Sequence, residues 1–284
     1  MIVTRFAPSP SGYLHLGHAF SALTAHDFAR SHDGRFLLRI EDIDSTRCRQ
    51  KFTNAIFEDL TWLGIAWDGP VRHQSAYLSD YKAALDRLWR MGVLYPCFCS
   101  RRDITEEIVR AGGAPHGPEG ALYPGLCRGL DRNVSCLDEL TTGSKDFALR
   151  LDVSHAMSKI GPLHWIEDGV GEHTARPDAL GDSVLARKDI GTSYHLSVVV
   201  DDALQGVTHV IRGEDLRHAT CMHRLLQELL GLPAPRYRFH PLLTDMNGNR
   251  LAKRDKAMTL HSLRKAGYSP KAVRAMAIPL PRTG

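Results

Sequence analysis

No stretch of this sequence approaches the roughly 18 consecutive apolar residues that a membrane span needs. The start, Met1-Ile2-Val3-Thr4-Arg5-Phe6, lacks the basic-then-apolar order of a secretory signal, and a cytoplasmic location without membrane contact is the default expectation. Cysteine is sparse, at positions 48, 97, 99, 127, 136 and 221. In a reducing compartment these six are no disulfide framework, so their clustering matters more than their even count. There is no internal repeat, no low-complexity tract and no long basic tail. A net charge of +4 with pI near 8.7 permits a nucleic-acid partner without demanding one. The 43% of hydrophobic and 24% of charged residues are ordinary for a globular protein, which excludes the disordered and fibrous classes. A chain of 284 residues is long enough for one large domain with an insertion or for two small domains.

What is present begins with a short β-prone run, Ile2–Phe6, followed by Ala7-Pro8-Ser9-Pro10-Ser11-Gly12. Two prolines and a glycine within six residues continue neither strand nor helix, so this is a structured loop. From His15 to about His32, apolar Leu16, Ala19, Phe20, Leu23 and Phe28 fit a helix with one buried face. Asp33-Gly34 turns the chain into Arg35–Ile40, a strand. A β-loop-α-β order opens a parallel, doubly wound sheet whose ligand crevice lies at the carboxyl ends of the strands. The Pro8–Gly12 loop and Glu41-Asp42 both emerge there. Helical patterns follow at about 48–64, 75–92, 259–266 and 270–277. Runs at 194–202 and 206–215 read as strands, each ending in two carboxylates. The expected division is 1–96 for the first half of the core, 97–193 for an inserted subdomain, 194–245 for its second half and 246–284 for a terminal helical segment.

The strongest chemical signal is His15-Leu16-Gly17-His18 directly after the proline loop. Free N–H groups and the dipole at a helix N-terminus favour an anion, and Gly17 allows close approach of a nucleotide. Two imidazoles on adjacent turns add donors to an α-phosphate under attack. In isolation such a pair is more often two surface histidines or two metal ligands; the strand and proline loop before it reverse that preference. The second signal is Arg250-Leu251-Ala252-Lys253-Arg254 after a glycine turn, a cation able to swing over a triphosphate. Alone it is a charged turn.

Arg5 through His18 resembles the "HIGH" region of glutamyl- and glutaminyl-tRNA synthetases. Arg39-Ile40-Glu41-Asp42-Ile43-Asp44-Ser45-Thr46-Arg47 resembles the family's next block, and Val210–Leu216 and the 250–254 loop resemble its third and its "KMSKS" blocks. The resemblance implies a class I synthetase core that uses ATP, with Mg2+, to activate L-glutamate. It implies a glutamate pocket of Arg5, Phe6, Ala7, Pro8, Ser9, Glu41, Tyr194 and Arg212. Two arginines and one glutamate suit a substrate with two carboxylates and one ammonium. ATP would meet His15, Gly17, His18 and Lys253, of which His15, His18 and Lys253 carry the catalytic charge stabilisation. The lysine loop departs from the family pattern at Arg250 and Ala252.

Cys97, Cys99, Tyr123 and Cys127 resemble the zinc site found in one branch of these enzymes, three thiolates and a phenolate around structural Zn2+. His116 in the intervening loop is the chemically more usual alternative to Tyr123. Cys136 falls outside the pattern, and Cys48 and Cys221 read as helix cysteines. About thirty residues follow Lys253, too few for the anticodon-binding domains of a full glutamyl-tRNA synthetase. That length resembles the family's short branch, monomers in expectation, which activate glutamate without tRNA and attach it to the queuosine base in the anticodon loop of tRNA(Asp). A truncated enzyme charging a tRNA 3′ end and a non-catalytic nucleotide- or RNA-binding paralogue are the alternative readings.

Overall fold

A computed structural model describes residues 1–110, the backbone at 116–117, and residues 120–130, 147–243 and 258–278. The chain forms two compact units. One comprises Met1–Ala76, Gly206–Arg217 and Pro235–Gly284, the other Tyr77–Gln205 and His218–Ala234.

The first unit opens with strand β1 (Val3–Phe6), helix α1 (Leu16–Arg30), strand β2 (Arg35–Ile40), helix α2 (Gln50–Trp62) and the short strand β3 (Arg72–His73). β1 pairs in parallel with β2, and β2 with β3. The stripe that α1 buries is narrower than the large apolar residues suggest. Ala19, Ala22, Ala25 and Ala29 lie with Leu23 at its centre, while Leu16, Phe20 and Phe28 are only partly covered. Small residues let the helix lie close on the strands. Cys48 precedes α2 instead of lying in it, a correction to its reading as a helix cysteine. Arg49 is the N-cap of α2, and the Cys48 Sγ is 3.7 Å from the Ser9 hydroxyl.

The second unit contains helix α3 (Leu78–Arg90), strand β4 (Leu94–Cys97), helix α4 (Arg101–Arg110) and the two-residue strands β5 (His116–Gly117) and β6 (Gly120–Ala121). Strand β7 (Ala148–Leu151), helix α5 (Val153–Ser158), the hairpin β8 (His164–Glu167) and β9 (Gly171–Thr174), strand β10 (Val184–Ala186) and helices α6 (Tyr194–Leu204) and α7 (Ala219–Leu229) complete it. β7 lies between β4 and β10, antiparallel to both.

Residues 194–202, expected as a strand, form helix α6 instead. Val198, Val199 and Val200 are all buried, so the run carries no periodicity to tell helix from strand. The deciding signals lie at its ends. Ser193 is an extended N-cap, and Gly206 follows the C-cap at φ 65°, a left-handed position that suits glycine. Asp201, fully buried in α6, accepts from the Tyr81 hydroxyl of α3 at 2.9 and 3.0 Å.

The chain returns to the first unit with strands β11 (His209–Gly213) and β12 (Arg236–His240), a parallel pair, and ends with helices α8 (Leu260–Lys265) and α9 (Pro270–Met276). The strand starts are tied in one row. Arg35 N–H donates to Ile2 O at 2.8 Å, Thr208 N–H to Val3 O at 3.0 Å and Arg236 N–H to Thr208 O at 2.9 Å. The order is therefore β3-β2-β1-β11-β12, with Phe6, Ile40, Gly213 and His240 at the common carboxyl edge. Leu260, Leu263, Val273 and Ala277 of the terminal helices join Phe6, Leu14, Leu38 and Ile56 in one core. Among the described residues no helix is long and apolar enough to cross a membrane.

Candidate active site

At the carboxyl edge of the first unit, the loops after β1 and β2 are bound together. Glu41 N–H donates to Pro8 O and Arg49 N–H to Pro10 O, both at 3.0 Å. Ser9 is exposed beside Cys48, Pro8 is buried and Ala7 is half-buried. Arg5 and Phe6 on β1 and Arg212 on β11 are each buried, on adjacent strands. Arg212 lies over the Tyr237 ring at 5.4 Å and the Phe239 ring at 5.8 Å, so flat aromatic faces orient the guanidinium. Glu41 receives Arg39 Nη2 at 3.1 Å, and Arg39 is wholly buried. A cation in the core thus holds the Glu41 carboxylate in place. Asp42, next in the chain, accepts from the Ser75 amide and hydroxyl at 2.9 and 2.8 Å, so it holds the loop.

His15 is the N-cap of α1, and its Nδ1 accepts from Gly17 N–H at 3.1 Å. His18 Nδ1 in turn accepts from His15 N–H at 3.2 Å, which closes a capping box made of imidazoles. A nitrogen that accepts a backbone N–H carries no proton, so each neutral ring holds its proton on Nε2. The two rings lie 3.8 Å apart, tilted by 39°. Gly17 has a second role here. A Cβ at this position would stand 3.1 Å from His15 Cε1 and 3.2 Å from His15 Nδ1, so any side chain here would press on the capping ring. At Gly213 a Cβ would meet Asp215 Oδ1 at 2.5 Å, so the Asp215 side chain would have to move aside.

Tyr194 opens α6 in the second unit, its ring 5.6 Å from that of His223. His223 is buried and shares a hydrogen bond of 3.2 Å with His195. Lys253 and the whole 244–257 segment lie outside the described residues, as do Cys136 and the side chain of His116.

The second unit brings Cys97, Cys99, Tyr123 and Cys127 together. The three Sγ atoms lie within 4.8 Å of one another, with Cys99 and Cys127 at 3.4 Å. The Tyr123 hydroxyl is 3.4 Å from Cys97 Sγ and 3.5 Å from Cys99 Sγ, and accepts from Cys127 N–H at 3.0 Å. A tetrahedral zinc with Zn–S of about 2.3 Å and Zn–O of about 2.0 Å needs S···S of about 3.8 Å and S···O of about 3.5 Å. The donor set fits that cage to within small side-chain shifts. The Arg150 guanidinium stacks on the Tyr123 ring at 3.8 Å. Burial pushes the Cys97 thiol up, but hydrogen bonds from Tyr123 and Arg150 outweigh it and hold Cys97 below the usual thiol range. Burial raises Cys99 to about 11, and it raises Tyr123 as well.

Asp182, which the sequence did not single out, anchors this cluster. Its buried carboxylate receives the Tyr95 hydroxyl at 2.5 Å, Arg128 at 2.8 Å and Val153 N–H at 3.1 Å. Arg128 follows Cys127 directly, so the carboxylate ties the second cysteine segment to the β4-β7-β10 sheet. A lone Gly-Asp-Ser in a loop carries no sequence signal for such a role.

Residues 1–280 match the family of class I tRNA synthetases (E and Q), catalytic domain. The chain is 52% identical to the glutamyl-Q tRNA(Asp) synthetase of Rhodobacter capsulatus, over 97% of this chain and 99% of that protein. It is 45% identical to the protein of that name from Nocardia farcinica, over 96% and 82%. To the glutamate–tRNA ligase of Aquifex aeolicus it is 38% identical, over 96% of this chain and 55% of that protein. The crystal structure of a glutamate tRNA ligase from Elizabethkingia meningosepticum, in complex with its amino acid, superposes with a TM-score of 0.74 at 27% identity, over 94% of this chain and 53% of that one. The chain belongs to the class I tRNA synthetases of the glutamyl and glutaminyl type.

Proposed function

We propose that this protein activates L-glutamate with ATP, without tRNA, and transfers the glutamyl group to the queuosine base of tRNA(Asp). The observation that carries the reading is the match along nearly the whole length of a glutamyl-Q tRNA(Asp) synthetase. The chemistry of the first unit agrees with it. Arg5 and Arg212 face the two carboxylates of glutamate, and Glu41 takes its ammonium, with the 7–9 loop lining the pocket. One substrate carboxylate attacks the α-phosphorus of ATP, the bond to the bridging oxygen breaks, and pyrophosphate leaves. The Nε2–H donors of His15 and His18 and the positive end of α1 stabilise the charge that develops on the phosphate. Lys253 meets the departing pyrophosphate, and Mg2+ is the counter-ion expected of ATP in this class. In the second step a queuosine ring hydroxyl attacks the acyl carbon of the adenylate, and AMP leaves.

Cys97, Cys99, Cys127 and Tyr123 are proposed to hold Zn2+. Bound there, the metal supplies cross-linking of β4 to the 120–130 segment and no step of the reaction. Glutamate-dependent exchange of labelled pyrophosphate into ATP without tRNA tests the first step, and its absence refutes the reading. Transfer of labelled glutamate to tRNA(Asp) with and without queuosine tests the acceptor. Equal labelling of tRNA(Glu) at its 3′ end would replace it with the terminal ribose.

A further inference from the structure

The terminal helices do more than fill the core, because α2 is electrostatically incomplete without them. Its last turn has no basic residue, and Glu58 and Asp59 sit near that end, where the helix dipole is negative. Asp59 is fully buried in addition. Both carboxylates are met from α8. Arg264 Nε stands 3.2 Å from Asp59 Oδ1, and Arg264 Nη2 stands 2.6 Å from Glu58 Oε2. Arg274 of α9 donates to Leu63 O at 2.9 Å and reaches Gly64 O at 3.5 Å, the carbonyls that close the end of α2. Two arginines from the terminal helices thus supply the cations that α2 lacks.

The start of α8 grips the segment that leads into the His15 cap. Leu260 N–H donates to Leu14 O at 2.8 Å, and Thr259 forms a β-bridge with His15. His261 stacks on Tyr13 with ring centroids 4.4 Å apart and planes within 12°, while Phe52 of α2 meets the edge of Tyr13 at 5.0 Å. Tyr13 is therefore held between α2 and α8, two residues before His15. The joint that Arg264 makes between those helices fixes the width of this slot.

We propose that Arg264 and His261 are positioning residues for adenylate formation: they hold the Tyr13–His15 stretch, and through it the His15 and His18 rings, where the α-phosphate reacts. This rests on the reading of His15 and His18 as ATP ligands. Neither residue touches substrate. A loosened slot misplaces phosphate donors without altering the pocket of Arg5, Glu41 and Arg212, so the defect falls on kcat and leaves the glutamate KM alone.

The test is tRNA-free pyrophosphate exchange on the full chain, with thermal melting of each variant. Arg264→Gln and His261→Ala should each lower kcat about tenfold with the glutamate KM within about twofold, and Arg264→Lys should recover most of the loss by restoring the cation. If Arg264→Gln does not fold, His261→Ala, which strands no buried carboxylate, carries the test. Folded variants with unchanged kcat, or with the loss in the glutamate KM, overturn the proposal. His18→Ala separates the two readings. Undiminished exchange in that variant sinks the ATP-site reading itself, whereas its loss beside full activity of the Arg264 and His261 variants sinks only the positioning role.

Discussion

Replacing Asp59 by Asn should change how stability depends on pH, with a sign opposite to that of most carboxylates. Burial raises Asp59 from 3.8 to about 6, even though Arg264 lowers it; Glu58 adds to the rise. Between about pH 4 and pH 6 the folded protein therefore holds a proton on Asp59 that the unfolded chain has lost. Stability from this group is full below pH 3.8 and is lost as pH rises through about 6. A rise of about two pKa units at about 1.4 kcal/mol each makes the loss about 3 kcal/mol. Urea melts of the wild type and Asp59→Asn at intervals from pH 4 to pH 7 read it directly. Other titrations are common to both proteins and cancel in the difference. The difference should move by about 3 kcal/mol across that range, favouring the wild type at the acid end. Arg264→Gln should shift the wild-type break upward, because a lowering influence is gone. A difference that does not vary with pH, or that favours Asp59→Asn at pH 4, would refute the argument.

Glu41→Gln should raise the glutamate KM by tenfold or more with the ATP KM nearly unchanged, measured by pyrophosphate exchange, since an amide offers the ammonium no charge. Purified protein should contain about one zinc per chain by metal analysis, and chelation should lower its melting temperature, with Tyr123→Phe binding zinc more weakly than the wild type. Tyr95→Phe should cost about 1–3 kcal/mol in a denaturant melt, because the buried Asp182 loses its 2.5 Å hydroxyl partner. His15→Asn should keep α1 within about 0.5 kcal/mol, asparagine being a good N-cap, while abolishing most of the exchange activity. A variant with full exchange would show that the ring only caps.

Much of the first unit was legible because its signals are local. The proline loop, the amphipathic stretch after His15 and the Asp33-Gly34 turn specify β1, α1 and β2 without any long-range contact. The helices at 50–62, 78–90, 260–265 and 270–276 follow from apolar spacing in the same way. The 194–202 run misled because a helix buried on all sides erases the period that distinguishes it from a strand. Its flanking Ser193 and Gly206 were the better guide. The gathering of Cys97, Cys99, Tyr123 and Cys127 followed from a resemblance; their spacing alone does not bring Tyr123 to two sulfurs. Asp182, Arg150 and the Arg264–Asp59 pair were not legible at all. Each depends on a partner far away in the chain, 32 positions for Arg150 with the Asp182 carbonyl, 54 for the Asp182 carboxylate with Arg128 and 205 for Arg264 with Asp59, and sequence proximity carries no trace of that.

The composition of the α1 N-terminus is consistent with the phosphate-binding role proposed for it. Aspartate, serine or threonine at the N-cap would serve the helix better than histidine, and acidic residues in the first turn would add about 0.3–1 kcal/mol through the dipole. α1 has no acidic residue there and is capped by His15. An aspartate would bring a negative charge to the point where the triphosphate is proposed to bind, cancelling the positive end of the helix. A serine would cap it neutrally, but its short side chain would offer no second donor beyond the cap. A neutral imidazole does both: Nδ1 satisfies the Gly17 amide, and Nε2 presents a proton on the opposite side of the ring. His18 repeats the arrangement one turn on, against the His15 amide. The capping stability given up is small beside the grip of α8 on Leu14 and Tyr13. A helix with a weak cap tolerates it because its entry segment is fastened from outside by the start of α8.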